Sequence, residues 1–249
     1  MRYSVGLTLV VAGILAFAGN ASADDETQAL IEKAIKAHGG REKLSEKKTI
    51  QVKTKGTLEI MSSSLPFTQE MTIQPPKQLK EVIDLDVNGI KITVNTVFND
   101  GKAWINANGK EVEVTDKIME ELKEGVYKAE VMDMVKLKDK KYELSSLGEV
   151  TVNDKKALGV KVACKGHKDL NIYFDKETGL ITKVEGQALD STTMQEVAEE
   201  RIITEYQDVD GHKVAKKVLI NRDGKKFMEA EVVEVKFVDK LDDSHFGKP

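Results

Sequence analysis

Apolar and polar residues alternate through most of the chain after residue 48. Between residues 49 and 60 the apolar side chains share one parity and the polar ones the other; the apolar set is Ile50, Val52, Leu58 and Ile60. The alternation recurs later, at residues 90–98, 170–174 and 214–220. A period of two with one apolar side is typical of antiparallel strands with one face in solvent. The pattern therefore predicts an antiparallel sheet with one buried face.

Glycine-containing dipeptides separate the alternating segments. Asn-Gly and Asp-Gly pairs favour tight hairpins, because both central residues can take positive φ. Such pairs occur at Asn88-Gly89, Asn108-Gly109, Asp210-Gly211 and Asp223-Gly224, and Asn99-Asp100-Gly101 marks a slightly longer turn. Together with the longer turns between them, they predict a meander of about ten or eleven strands.

The last alternating segment changes phase. Its apolar residues before the change are Met228, Ala230 and Val232, and those after it are Val233, Val235 and Phe237. One extra residue in the strand would return both groups to the same face of the sheet. We therefore expect a β-bulge near Val232 and Val233.

Two parts of the chain have helical periodicity instead. Residues 27–38 place their apolar side chains on one face at spacings of three and four, which predicts an N-terminal helix. In mid-chain, Thr115 is a suitable N-cap for a helix over Lys117–Lys123, which we expect Gly125 to end. Residues 127–137 predict a second helix directly after it.

A wide sheet with one apolar face must bury that face. Because the helices fall at the N-terminus and in mid-chain, and not after each strand, a doubly wound parallel sheet is excluded. The expected fold class is mainly β with α insertions. It is a curled antiparallel meander, an incomplete β-barrel, covered by the N-terminal helix and a mid-chain helical lid. The pattern leaves open whether the interior is filled by side chains or hollow.

The first 23 residues have the three parts of a cleavable signal peptide. Arg2 supplies a positive charge, residues 5–18 are almost wholly apolar, and Ala21-Ser22-Ala23 offers small residues for cleavage. The alternative is a membrane anchor, but a spanning helix needs about 20 apolar residues and this run is shorter. We expect an exported chain, periplasmic or otherwise, that is soluble after cleavage near Ala23.

The net charge limits the kinds of partner that the chain can bind, and the cysteine content limits how the fold can be stabilised. The sequence has 38 basic and 42 acidic residues, a net charge of −4, which argues against binding nucleic acid or anionic membranes. Cys164 is the single cysteine, so no intramolecular disulfide can form and the core must hold the fold. Cys164 shares its parity with Val160 and Val162, which favours a buried, unreactive thiol.

Sequence motifs of common catalytic sites do not occur. The chain has no G-x-S-x-G and no H-E-x-x-H motif. Its histidines are widely separated, at His38, His167, His212 and His245. We therefore expect no catalytic residues, no metal and no cofactor, and an exported enzyme is the least supported hypothesis.

Several segments resemble the LolA-like proteins, the periplasmic carriers of outer-membrane lipoproteins and their lipid-binding relatives. These segments are AHGGREKL at 37–44, FNDGKAW at 98–104, YFDKETGLITKVE at 173–185 and DDSHFGKP at 242–249. The resemblance implies a single half-barrel domain over residues 24–249, with a hydrophobic cavity that shelters acyl chains. The chain departs from it by a longer helical segment at 115–141 and by fewer aromatic residues.

These features lead to two main hypotheses. The first is a non-catalytic periplasmic carrier of lipid or lipoprotein acyl chains. We expect this carrier to be a monomer whose further partners can be envelope membrane proteins. The alternative is an envelope sensor or interaction module of the same fold that binds a protein partner. In a hollow barrel, inward apolar side chains line the cavity, and the candidates are Ile92, Val94, Phe98, Trp104, Met119, Leu122, Val162, Ile172 and Phe174.

Overall fold

The computed structural model describes residues 23–46, 49–60 and 63–249, so the predicted signal peptide lies almost wholly outside the described residues. The helices are α1 (Ala23–Ala37), α2 (Arg41–Glu46), α3 (Asp116–Met132) and a short 3-10 helix (Asp243–Phe246). The strands are β1 (Thr49–Ile60), β2 (Ser63–Gln74), β3 (Gln78–Val87), β4 (Ile90–Asn99), β5 (Lys102–Ala107), β6 (Lys110–Val112), β7 (Tyr142–Val152), β8 (Lys155–Cys164), β9 (Leu170–Asp175), β10 (Ile181–Leu189), β11 (Glu196–Val209), β12 (His212–Arg222) and β13 (Lys225–Val238).

All of these strands belong to one antiparallel sheet. Its order is β6-β5-β4-β3-β2-β1-β13-β12-β11-β10-β9-β8-β7. Strands that follow each other in the chain are neighbours in the sheet, as in a meander, except for β6 and β7. These two form the edges of the sheet, and α3 lies between them in the chain. The first and last strands pair in the middle of the sheet. Because β6 and β7 do not pair with each other, the barrel is incomplete, which confirms the expected fold class.

The sheet has thirteen strands in the described residues, more than the ten or eleven expected. The strands at the two edges of the sheet bury few side chains. β6 is three exposed residues long, and β7 is exposed along most of its length. An edge strand that buries few side chains has no need of the apolar alternation by which a strand is recognised.

The expected bulge in β13 is confirmed. Lys53 of β1 lies opposite Glu234, and the next residue, Thr54, lies opposite Val232. Val233 is therefore the extra residue, and its side chain is 51% exposed. The bulge keeps the apolar residues on either side of it on one face of the sheet.

One face of the sheet is largely apolar and faces the helices; we call it the inner face. A row of directly opposed residues runs across it at one end of β4, β3, β2, β1 and β13: Phe98, Leu79, Ile73, Ile50 and Phe237. A second row crosses β9, β10, β11, β12, β13 and β1: Ile172, Val184, Arg201, Ile220, Met228 and Leu58. Arg201 is the one charged residue in these two rows.

The helices pack on the inner face and leave part of it uncovered. Ile31 and Ile35 of α1 and Val131 of α3 form the main core with buried residues of β8–β11. Nearer its start, α3 packs Val126 against a smaller cluster on β3 and β4, around Leu79 and Phe98. Among the described residues no helix is long and apolar enough to span a membrane.

The mid-chain helical segment differs from the prediction. Thr115 caps α3 as expected, its hydroxyl accepting a hydrogen bond from the Ile118 amide. However, α3 continues through Gly125 to Met132, so the expected break and the second helix up to residue 137 are wrong. A glycine costs about 1 kcal/mol in a helix, which the burial of Val126 and Val131 later in α3 can offset. Cys164, which was expected to be buried, is only half-buried, at the margin of the main core against which it packs.

Substitutions at two glycines should change the stability of the protein in opposite directions. A Cβ at Gly56 in β1 would lie 2.1 Å from the Glu229 carbonyl oxygen of β13, whereas a Cβ at Gly125 would meet nothing within 4 Å. We expect Gly56→Val to lower the free energy of unfolding by more than about 2 kcal/mol, through overpacking. Gly125→Ala should raise it by roughly 0.5–1 kcal/mol. Urea denaturation measures both, and a neutral Gly56→Val variant would contradict the close β1–β13 contact.

Candidate functional site

A cavity of about 1210 Å³ lies between the inner face and the helices, and it is partly open to solvent. Apolar residues from β1, β2, β3 and β13 form one wall: Ile50, Val52, Met71, Ile73, Leu79 and Phe237. Ala129 and Met132 of α3 face them across the space. Typical pockets for small ligands measure about 300–1,000 Å³, so this cavity can hold a long chain.

None of the nine residues predicted to line the cavity belongs to its lining. Six are core residues, with Phe98, Met119 and Leu122 in one cluster and Val162, Ile172 and Phe174 in another. Ile92 and Val94 are half-buried on the inner face of β4. Trp104 lies opposite Val97 of β4, on the face opposite that of Phe98.

The predicted residues do not line the cavity because the helices cover the part of the inner face on which most of them lie. Phe98 and Ile172 are inward, as their parity predicted, but α1 and α3 pack over this part of the sheet and convert it into core. The uncovered wall lies on β1, β2 and β13, where Ile50 and Val52 had shown the same parity signal. Alternation identifies an inward residue but not what covers it.

Charged residues line another part of the same cavity. The Arg222 guanidinium donates to one carboxylate oxygen of Glu199, from Nε at 3.1 Å and from Nη2 at 3.0 Å. Both side chains are largely buried. Arg201 and Lys128 also line the cavity here. We call Lys128, Arg201 and Arg222 the cation cluster. Their spacing in the sequence did not predict that they would line the same part of the cavity.

The cation cluster controls the ionisation of Glu199. Burial raises the pKa of the Glu199 carboxyl, but the positive charges of Arg201, Lys128 and Arg222 outweigh it. The pKa therefore lies below its usual range, and Glu199 is ionised at neutral pH. With one carboxylate among three cations, this local group of four side chains is net positive.

The end of α3 is held by a second charged group. Glu130 is buried and accepts hydrogen bonds from Nζ of Lys136 at 3.4 Å and of Lys141 at 2.9 Å. Burial opposes the charge on Lys141, but Glu130 and Tyr142 raise the pKa of its ammonium group to about 12. These ion pairs tie α3 to the segment that follows it.

The start and middle of α3 are tied to the β8–β11 side of the sheet. Glu124 is almost fully buried, and its carboxylate lies 2.8 Å from His167 Nδ1 and accepts from the Lys168 amide at 3.1 Å. The His167 ring stacks on Tyr127, with ring centres 3.9 Å apart. Towards β10, Glu121 accepts from the Leu189 amide at 3.0 Å. On the opposite side α3 has the apolar contacts with β3 and β4.

The Glu124–His167 pair has the geometry of a structural contact. It borders a small groove whose lining residues include no serine, threonine or cysteine. In the described part of the chain, no three side chains are grouped as ligands for a metal ion. The pair fastens the helix that covers the cavity, a role that the sequence position of His167 did not indicate.

Comparison with solved structures identifies the class of fold. A LolA superfamily protein from Nitrosomonas europaea has a TM-score of 0.55 at 9% sequence identity, covering 89% of this chain and 97% of its own. A DUF1329 family protein from Desulfovibrio piger has a TM-score of 0.51 at 13% identity, covering 89% and 97%. The chain therefore has a LolA-like fold.

A third similar structure comes from Vibrio parahaemolyticus. It is described as an outer membrane lipoprotein-sorting protein domain and has a TM-score of 0.50 at 12% identity, covering 89% of this chain and 96% of its own. No family model matches the sequence, and no curated protein matches it. At such identities the similarity shows the fold alone.

The fastening of α3 can be tested at Glu124. Glu124→Ala removes the acceptor for His167 and leaves the Lys168 amide unsatisfied, so we expect about 1–3 kcal/mol less stability. Amide hydrogen exchange should become faster along α3. Glu120→Ala, one turn earlier on an exposed part of the helix, is the matched control and should change neither quantity by much. Unchanged exchange in Glu124→Ala would show that the apolar contacts alone hold the helix.

Proposed function

We propose that this protein is a non-catalytic periplasmic carrier that holds the acyl chains of lipids or lipoproteins in the cavity between the inner face and α3. The observation that carries the proposal is the volume of about 1210 Å³ with a wall of aliphatic and methionine side chains. Such a wall suits an alkyl chain, which has no hydrogen-bonding groups to satisfy. The LolA-like fold supports the same function.

Burial of an alkyl chain supplies enough free energy for binding. Each methylene moved out of water contributes about 0.8 kcal/mol, so a chain of twelve carbons gains roughly 9 kcal/mol before the costs of association. Met71 on the sheet and Met132 on the lid are flexible side chains that can adapt to chains of different length.

The proposed location is the periplasm. Its support is the signal-peptide pattern of residues 1–23 and the fold shared with an outer membrane lipoprotein-sorting domain. A carrier that crosses an aqueous space must shield an alkyl chain from water, and a covered cavity does so.

Docking of a protein partner on an apolar sheet edge has less support. The two edge strands carry one exposed large hydrophobic residue each among the described positions, Val112 on β6 and Leu147 on β7, both 38% exposed. An edge with so little apolar surface gives a partner strand few side-chain contacts.

The direct test is lipid extraction from the protein after purification from its own envelope. We expect mass spectrometry of the extract to find acyl lipids or a lipoprotein in near-stoichiometric amount, and the stripped protein to take up a fluorescent fatty acid. Absence of both would contradict the carrier function.

A pair of variants tests whether the acyl chain occupies the cavity. Val52→Trp places a large side chain on the cavity wall, and Lys53→Trp places the same side chain on the other face of β1, where Lys53 is exposed. We expect Val52→Trp to weaken fatty-acid binding about tenfold or more because it occupies the space, with Lys53→Trp close to the wild type. Equal affinity of the two variants would place the acyl chain elsewhere.

A further inference from the structure

Arg201 occupies a position where the rest of the sheet places apolar residues. In its cross-strand row, the neighbours opposite it are Val184 on β10 and Ile220 on β12, which are 9% and 5% exposed. Arg201 itself is exposed, because it borders the cavity and is not covered by a helix. Because Arg201 is exposed, its guanidinium stays solvated beside the apolar wall and is accessible to a ligand in the cavity.

The neighbouring charged groups are already engaged with the protein. Glu199 is bound by Arg222, and Lys128 of α3 donates to the Gln187 carbonyl oxygen at 3.0 Å. Arg201 makes no hydrogen bond or ion pair with any of the described residues, and its interaction with Glu199 is through charge at longer range. Its five N–H donors are therefore available to a group inside the cavity.

The charges around Arg201 favour a ligand with a negatively charged head group. Arg201, Arg222 and Lys128 all place positive charge around Glu199, which is itself bound by Arg222. Glu121, a second carboxylate in the cavity lining, already accepts from the Leu189 amide. An arginine fork matches the two oxygens of a carboxylate or phosphate better than any neutral group. The same cavity continues to the apolar wall at Val52 and Met71.

We propose that the ligand of this cavity is an anionic amphiphile, whose carboxylate or phosphate head binds Arg201 while its alkyl chain lies along the apolar wall. The inference rests on the proposed carrier function and adds the chemical class of the cargo. Arg222 and Lys128 contribute positive charge, and Arg201 makes the direct contact.

Isothermal titration calorimetry on the full chain tests the head-group contact with four probes: dodecanoate, dodecyl phosphate, dodecanol and inorganic phosphate. We expect the two anionic amphiphiles to bind the wild type about tenfold more tightly than dodecanol, which is the effect of one charge-assisted hydrogen-bonded pair. Arg201→Gln should remove this difference, and dodecanol, which has no charged head, should still bind. Dodecanol binding also reports that the variant is folded with its cavity intact.

Lys55→Gln is the charge-matched control. Lys55 is an exposed residue of β1 that pairs with Glu231, away from the cavity lining. We expect it to bind all four probes as the wild type does. An equal loss of anion affinity in Lys55→Gln and Arg201→Gln would assign the effect to overall charge and overturn the proposal.

The probes separate failure of this inference from failure of the carrier function. If dodecanol binds and the anionic amphiphiles bind no more tightly, the carrier function stands and the head-group site is wrong. If neither binds, the carrier function itself is wrong. Inorganic phosphate should bind far more weakly than dodecyl phosphate; equal affinity would indicate a simple anion site and overturn the assignment of an amphiphile.

Discussion

The structure depends on one constraint: the apolar face of this wide sheet is larger than the area that its helices cover. Thirteen antiparallel strands curl around α1 and α3, which fill the concave side over β8–β11 and near the ends of β3 and β4. The part of the inner face on β1, β2 and β13 stays open to the cavity. The hydrophobic effect favours covering this surface, and a bound alkyl chain would do so.

The two sides of α3 differ in the forces that hold them. Hydrogen bonds and ion pairs from Glu124, Glu121 and Lys128 join it to the β8–β11 side. Towards β3 and β4 its contacts are apolar, through Met119, Leu122 and Val126. The attachment of α3 is therefore directional and polar on one side, and non-directional and apolar on the other.

Much of the architecture was predictable, because it follows from local patterns. Parity predicted the antiparallel meander, the phase change in β13 predicted the bulge at Val233, and Thr115 predicted the start of α3. The cavity lining was not predictable, because it depends on which inward residues a helix from another part of the chain covers. The cluster of Arg201 with Arg222 and Lys128 likewise depends on strand register and on where α3 crosses the sheet, which no sequence spacing encodes.

The central claim is that an alkyl chain occupies the space between the inner face and α3. Photo-crosslinking with a fatty acid that carries a diazirine near its methyl end, followed by peptide mass spectrometry, tests it most directly. The account predicts adducts on the cavity wall of β1, β2 and β13 and on the last two turns of α3. Adducts at exposed apolar residues outside the cavity, such as Ile90 and Val233, with none on the cavity wall, would contradict it.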